Sequence, residues 1–194
     1  MDPGSPLFGP DVPAGFRYRT DFVTAEEETA LAAEIARVEF AAFEMRGVVA
    51  KRRVAFFGRS YDNNGRPTPA IPAFLLPYRD RFAGWIGIAP DDFAMALINE
   101  YRDGAPIGWH RDAPQYDIVA GISLLSECRM KLRPYVPPKA LAAAQGARRV
   151  ATHEITLEPR SAYLLSGAAR TAYEHHIPPA ASLRYSITFR TLRP

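Results

Sequence analysis

Arg184-Tyr185-Ser186-Ile187-Thr188-Phe189-Arg190 alternates without a break. Tyr185, Ile187 and Phe189 share one face of a strand and must be packed, while Arg184, Ser186, Thr188 and Arg190 share the other. An arginine on an inward face is costly unless an anion meets it. At about 3.3 Å per residue the two arginines start about 20 Å apart along the strand. Long side chains leaning toward each other leave a gap suited to a short dicarboxylate, and each guanidinium offers a two-pronged fork to a carboxylate.

Upstream of this segment, short apolar runs separated by turn signals predict strands over 93–101, 118–125, 128–133, 150–157 and 162–166, with the last strand over 183–192. The earlier part reads differently. Thr24-Ala25-Glu26-Glu27 has the spacing of a capping box, and Leu31, Ile35 and Val38 follow at helical intervals, which predicts a helix over 24–40. Val48 to Phe57 is β-like, and 58–72, with Asn63-Asn64-Gly65, reads as a loop or hairpin tip. A second helix is expected within 73–84, starting near Pro77, and 137–149 reads as an alanine-rich insertion. An early helix followed by many short strands implies a mainly β fold with flanking helices, of the jelly-roll kind.

The 194 residues suit one domain, and 47% hydrophobic with 23% charged residues excludes global disorder. Residues 1–15, rich in proline and glycine, read as a flexible arm ahead of a single domain over 16–194. Cys128 is the only cysteine, so no internal disulfide framework exists. No secretory signal or apolar run of about 18 residues is visible, so a soluble, cytoplasmic chain is expected, with no membrane partner. A monomer is the expected state. The net charge of +3 permits nucleic-acid binding without arguing for it.

Four histidines are present. In Gly108-Trp109-His110-Arg111-Asp112, His110 and Asp112 are two apart and on a strand would present a nitrogen and an oxygen to one point. A later histidine, His175 or the adjacent His176, would complete two nitrogens and one oxygen on one face of a metal, leaving positions open for substrate and dioxygen. A closed structural zinc site would want cysteines. His153 has no convergent partner and reads as a surface residue, and Trp109, facing away from His110, as core. Asn99 and Tyr101 form a further same-face pair that can donate hydrogen bonds to carboxylates or keto oxygens.

Four segments in this order, Asn99-Glu100-Tyr101-Arg102-Asp103-Gly104, Ile107-Gly108-Trp109-His110-Arg111-Asp112, Tyr173-Glu174-His175-His176-Ile177-Pro178 and Arg184 to Arg190, resemble the AlkB family of Fe(II)/2-oxoglutarate dioxygenases. The resemblance covers about half of the chain. It implies a double-stranded β-helix core over 93–194, with 16–92 as an extension and substrate lid. It implies Fe(II) held by His110, Asp112 and His175, with His176 as the alternative. It further implies 2-oxoglutarate bound by Arg184 at its distal carboxylate, by Arg190 near its C1 end, and by Asn99 and Tyr101, with O2 as the oxidant. The implied reaction is hydroxylation of an N-alkyl group on a nucleobase, followed by aldehyde release, with succinate and CO2 formed.

Departures bear on the substrate. Repair-type members carry acidic residues just after the iron-binding aspartate, where this chain has Ala113-Pro114-Gln115, and Ser186 stands where asparagine is frequent. Basic residues beside aromatics still suit alkylated single-stranded DNA or RNA. These are Lys51, Arg52, Arg53 and Tyr61 in the lid region, Arg111 beside the metal motif, and the stripe of Arg129, Lys131 and Arg133. The alternatives are the same oxygenase chemistry on a protein side chain or small molecule, and a non-catalytic binding module.

Overall fold

The computed structural model describes residues 12–45, 48–59, 66–102, 104–137 and 151–194. Along the chain come β1 (Phe16–Arg19), α1 (Ala25–Ile35), β2 (Ala41–Met45), β3 (Val48–Gly58), α2 (Leu76–Ile86), β4 (Phe93–Tyr101), β5 (Ile107–His110) and β6 (Tyr116–Leu124). They are followed by β7 (Cys128–Pro134), β8 (His153–Leu157), β9 (Ala162–Leu165), α3 (Gly167–Thr171), β10 (Tyr173–Ile177) and β11 (Arg184–Leu192). The strands form two antiparallel sheets, one of seven strands ordered β1-β9-β6-β11-β4-β3-β2 and one of four ordered β5-β10-β7-β8.

β11 lies in the middle of the large sheet between β4 and β6. Its two faces are both buried, for different reasons. Tyr185, Ile187 and Phe189 join Ile98 and Ile122 in a core covered by α1 and α2, through Leu31, Ile35 and Phe82. Phe82 stacks on Phe22 at 4.4 Å between centroids. Each fully buried side chain of this kind contributes about 1.5–3 kcal/mol. The other face of β11 looks toward the small sheet, where Met130, Leu132, Ile155 and Leu157 form a second core with Val119, Tyr163 and Leu165.

The capping box forms: Glu27 N–H donates to Thr24 Oγ1 at 3.1 Å and Thr24 N–H to Glu27 Oε2 at 2.9 Å. The helix stops at Ile35, short of the expected Phe40, because the chain turns to pair β2 with β3 and this tertiary pairing overrides the local alanine-rich preference. α2 begins with Pro77 in its first turn, where its missing N–H costs nothing, and ends at Gly87 in the left-handed region at φ 79°.

Of the expected arm over 1–15, residues 12–15 are described. The carbonyls of Ala14 and Gly15 accept from Ala169 N–H at 2.8 Å and Ser166 N–H at 3.0 Å, which ties this segment to α3. Residues 1–11, the turn at Asn63-Asn64-Gly65, Tyr61 and most of the alanine-rich insertion lie outside the described residues. No helix among the described residues is long and apolar enough to cross a membrane.

Candidate active site

His110 is the last residue of β5 and pairs in register with His175 on β10. Their rings meet at 4.2 Å between centroids. Asp112 is not on the strand, as its alternation with His110 suggested, but in the loop that follows. One buried arginine shapes that loop. Arg170, on α3, donates through Nη2 to the carbonyls of Ala113 at 2.6 Å, Tyr116 at 2.8 Å and Asp112 at 3.3 Å. The carboxylate is thereby turned inward, and its Oδ2 stands 3.7 Å from His175 Nε2. Two atoms each about 2.1 Å from one ion lie about 3–4 Å apart, so this spacing admits a shared metal. His110 Nδ1 lies 2.9 Å from the Gly108 carbonyl, which can only accept. The proton is therefore on Nδ1 and the Nε2 lone pair is available, the orientation that bound metals require of imidazoles.

Burial keeps the two imidazoles neutral, and neighbouring charges keep the carboxylate ionised. Burial first, then the neighbouring His110, pushes His175 down to about 3, so it is neutral. His110 is lowered by burial as well. Burial alone would raise the carboxyl of Asp112, but the Arg190 guanidinium, His175 and His110 outweigh it and hold it well below the usual carboxylate range. His176 faces the opposite way: its ring stacks on Trp109 at 5.2 Å and its Nδ1 donates to the Ile107 carbonyl at 2.6 Å. Trp109 is not core but half-buried on the outer face of the small sheet, with Arg133 over its other side at 4.1 Å. His153 is half-buried on β8, 5.9 Å from the Tyr173 ring.

His110, Asp112 and His175 line one side of a cavity of about 500 Å³. The register of β11 with β4 and β6 sets Arg184 opposite Tyr101, Ser186 opposite Asn99 and Ser123, and Thr188 opposite Gly121; of these, Tyr101, Asn99, Ser186 and Thr188 line the cavity. The two arginines of β11 behave differently. Arg190 is saturated, with Nε and Nη2 on Asp112 Oδ1 and Nη1 on Thr188 Oγ1 at 3.0 Å. It therefore turns to Asp112 rather than leaning toward Arg184. Arg184 is 0% exposed, and only its Nε is used, donating to Ser123 Oγ at 3.1 Å. Nη1 and Nη2 are buried with no hydrogen-bond partner among the described residues. The Tyr101 ring lies beside the guanidinium, 4.9 Å between its centroid and the Arg184 Cζ. Two parallel unpaired donors on one buried guanidinium fit a carboxylate, so the donor set suits a diacid co-substrate.

Three contributors escaped the sequence reading. Ser123 holds Arg184. Tyr163 lies across Gly121, where a Cβ would come within 2.3 Å of its Cζ, so only glycine admits the ring. Burial raises the phenols of Tyr163 and Tyr101, keeping both as neutral hydroxyls. A glycine inside a strand, two residues from a serine on the same face, was the available signal. Arg170, by contrast, has no local signature.

The sequence-predicted basic residues divide by face. Arg52 lines the cavity, its Nε donating to Asn99 Oδ1 at 3.3 Å and its guanidinium 4.1 Å above the Phe43 ring. Arg111 also lines it, stacked on Tyr135 at 3.6 Å. Arg53 points to the other side of β3 and bonds Glu100 at 2.7 Å, and Lys51 is exposed. Arg129 and Lys131 pair with Glu154, and Arg133 with Glu174. This stripe lies outside the cavity, because β7 turns its apolar residues, Met130 and Leu132, toward the core.

The sequence profile of the 2OG-Fe(II) oxygenase superfamily matches residues 15–190, and the chain belongs to that family. Within it the protein is an AlkB-like dioxygenase, of a class that uses Fe(II), 2-oxoglutarate and O2. It is 32% identical over 177 residues to the "Alkylated DNA repair protein ALKBH8 homolog" of Arabidopsis thaliana, which covers 81% of the chain. The match takes in 49% of that relative, so the chain spans about half its length. The fold is shared with the solved structure of OsALKBH1, at TM-score 0.66 and 13% identity over 93% of this chain and 98% of that one. It is shared equally with a Pseudomonas putida prolyl-4-hydroxylase, at TM-score 0.62 and 14% identity over 93% and 94%. The jelly roll is thus the double-stranded β-helix of these oxygenases.

Proposed function

We propose that the protein removes N-alkyl groups from nucleobases in DNA or RNA by oxidation. In this reading His110, Asp112 and His175 hold Fe(II), Arg184 receives the distal carboxylate of 2-oxoglutarate, and Asn99, Tyr101 and Arg190 flank the rest of that molecule. Bound iron and co-substrate supply the oxidising power: one oxygen atom of O2 enters succinate as CO2 leaves, and the other enters a substrate C–H bond. The hydroxylated carbon then departs as an aldehyde while a proton returns to the base nitrogen.

The chain's own residues prepare that site. Arg190 and Arg170 fix Asp112, Gly108 fixes the tautomer of His110, and Ser123 and Tyr101 set Arg184. The observation that carries the substrate reading is the continuity of one cavity. It runs from His110, Asp112, His175 and Arg190 to the β2–β3 hairpin, where Phe43, Phe56 and Arg52 line it beside Tyr116. Aromatic faces and a stacked guanidinium suit an unstacked base. The name of the Arabidopsis relative, an alkylated DNA repair protein, supports the same reading.

The test compares methylated single-stranded DNA, methylated RNA and a peptide for aldehyde release coupled to succinate formation. Coupling to either nucleic acid is expected. Coupling to the peptide alone would transfer the same chemistry to a protein side chain.

A further inference from the structure

The walls of the cavity carry an unbalanced charge. Among the described lining residues Asp112 is the sole carboxylate, and Arg190 occupies it. Arg52, Arg59 and Arg111 line the same space with no carboxylate partner among the described residues. Arg52 spends one donor on the Asn99 amide, and Arg111 one on the Thr171 carbonyl at 3.4 Å, both neutral acceptors. After Asp112 the chain continues with the uncharged Ala113, Pro114 and Gln115, of which Ala113 and Gln115 line the cavity.

A base alkylated on a ring nitrogen that carries no hydrogen becomes a cation, and entering this space would set it against three guanidiniums with no compensating carboxylate on the described walls. An uncharged base with ring carbonyls meets the opposite situation, because arginine is donor-only and carbonyl oxygens are acceptors. Phe43, Phe56 and Tyr116 offer ring faces to either kind, and the attraction that Phe43 and Tyr116 could give a cation is already taken by Arg52 at 4.1 Å and Arg190 at 5.6 Å, so the charge of the walls decides. Resting on the nucleobase reading above, we infer that the site selects uncharged alkylated bases bearing carbonyl acceptors, of the N3-methyluracil kind, and discriminates against bases that alkylation has made cationic.

A matched pair tests it. Two single-stranded oligonucleotides of one sequence carry either N3-methyluracil, which is neutral, or N3-methylcytosine, which is cationic and nearly the same shape. The full chain with Fe(II) and 2-oxoglutarate is assayed for demethylated base, and equilibrium binding of both strands is measured without oxygen. The uracil strand is expected to lead by about tenfold or more in kcat/KM, the ratio that about 1.4 kcal/mol produces, and to bind more tightly. Gln115→Glu, which returns a carboxylate to the cavity wall, should narrow or invert that ratio. Equal or preferred oxidation of the cytosine strand overturns the charge selection and leaves nucleobase dealkylation standing. If neither strand is oxidised while succinate still forms without substrate, the nucleobase reading falls and carries this inference with it.

Discussion

Arg190 holds Asp112 by one carboxylate oxygen: Nε and Nη2 both donate to Oδ1, at 2.9 and 2.7 Å, and Oδ2 is left facing His175. The two side chains are 10% and 6% exposed. Removing one member of such a pair strands the other, a loss of about 3–5 kcal/mol. Arg190→Met is expected to lower stability by about 3 kcal/mol, and Asp112→Asn added to it to cost less than in the unaltered chain. Urea melts of the four variants in a double-mutant cycle measure the coupling, and additive losses would refute it.

Arg184 should give the contrary result. Its buried charge has no anion among the described residues, and two of its donors are unpaired, so Arg184→Met exchanges an uncompensated ion for an apolar chain of similar reach. Stability without co-substrate is expected to hold or rise, while the 2-oxoglutarate concentration needed for half-maximal binding rises at least about tenfold, the loss of one charge-assisted contact. Thermal melts with and without 2-oxoglutarate separate the two effects. A large drop in the co-substrate-free melting temperature would show Arg184 to be structural.

Arg170 acts at one remove, through the carbonyls of the Asp112 loop. Arg170→Met should weaken metal binding about 10- to 100-fold, as loss of an outer-shell support does. It should also speed amide hydrogen exchange over residues 112–116. Metal titration and exchange mass spectrometry report the two, and unchanged metal affinity would remove Arg170 from this role.

Gly121 and Tyr163 are matched by shape. A methyl group at 121 would overlap the Tyr163 ring, and overpacking costs about 1–3 kcal/mol. Gly121→Ala is therefore expected to destabilise, and Tyr163→Ala in that background to recover part of the loss. Failure of that rescue in a denaturant series would place the strain elsewhere.

Glu100, 2% exposed, receives Arg53 at 2.7 Å and Arg102 at 3.0 Å on the same oxygen. Burial raises its carboxyl, but these two bonds outweigh burial and hold its pKa below the usual value. Because the folded pKa is depressed, the stabilisation is complete above the unfolded value of about 4.3 and disappears as pH falls through the folded value. Glu100→Gln should thus destabilise at neutral pH, with the gap closing in melts run below about pH 4. A gap that widens in acid would reverse the sign.

Strands such as β4, β6 and β11, and the face shared by Arg184, Ser186, Thr188 and Arg190, were legible because period-two alternation is a local property. Position beyond that was not. Arg129, Lys131 and Arg133 alternate just as cleanly, but alternation tells which residues share a face and not what the face looks at; Met130 and Leu132, packing inward, decide it. Residues 36–40 read as a continuation of α1, and β2 gave no strand signal of its own; its pairing with β3 makes it a strand. The place of Asp112 depends on Arg170, a residue distant in the chain that folding brings near.

With β11 at the centre of the large sheet, one segment serves as structural keel and, in the proposed reading, as co-substrate ruler. Deleting a residue from it would swap its arginine face for its apolar one, so chemistry and foldability would fail together. Diversification is confined to the rim, and libraries randomised at Phe43, Phe56 and Gln115 should change what the enzyme accepts while its succinate-forming reaction survives.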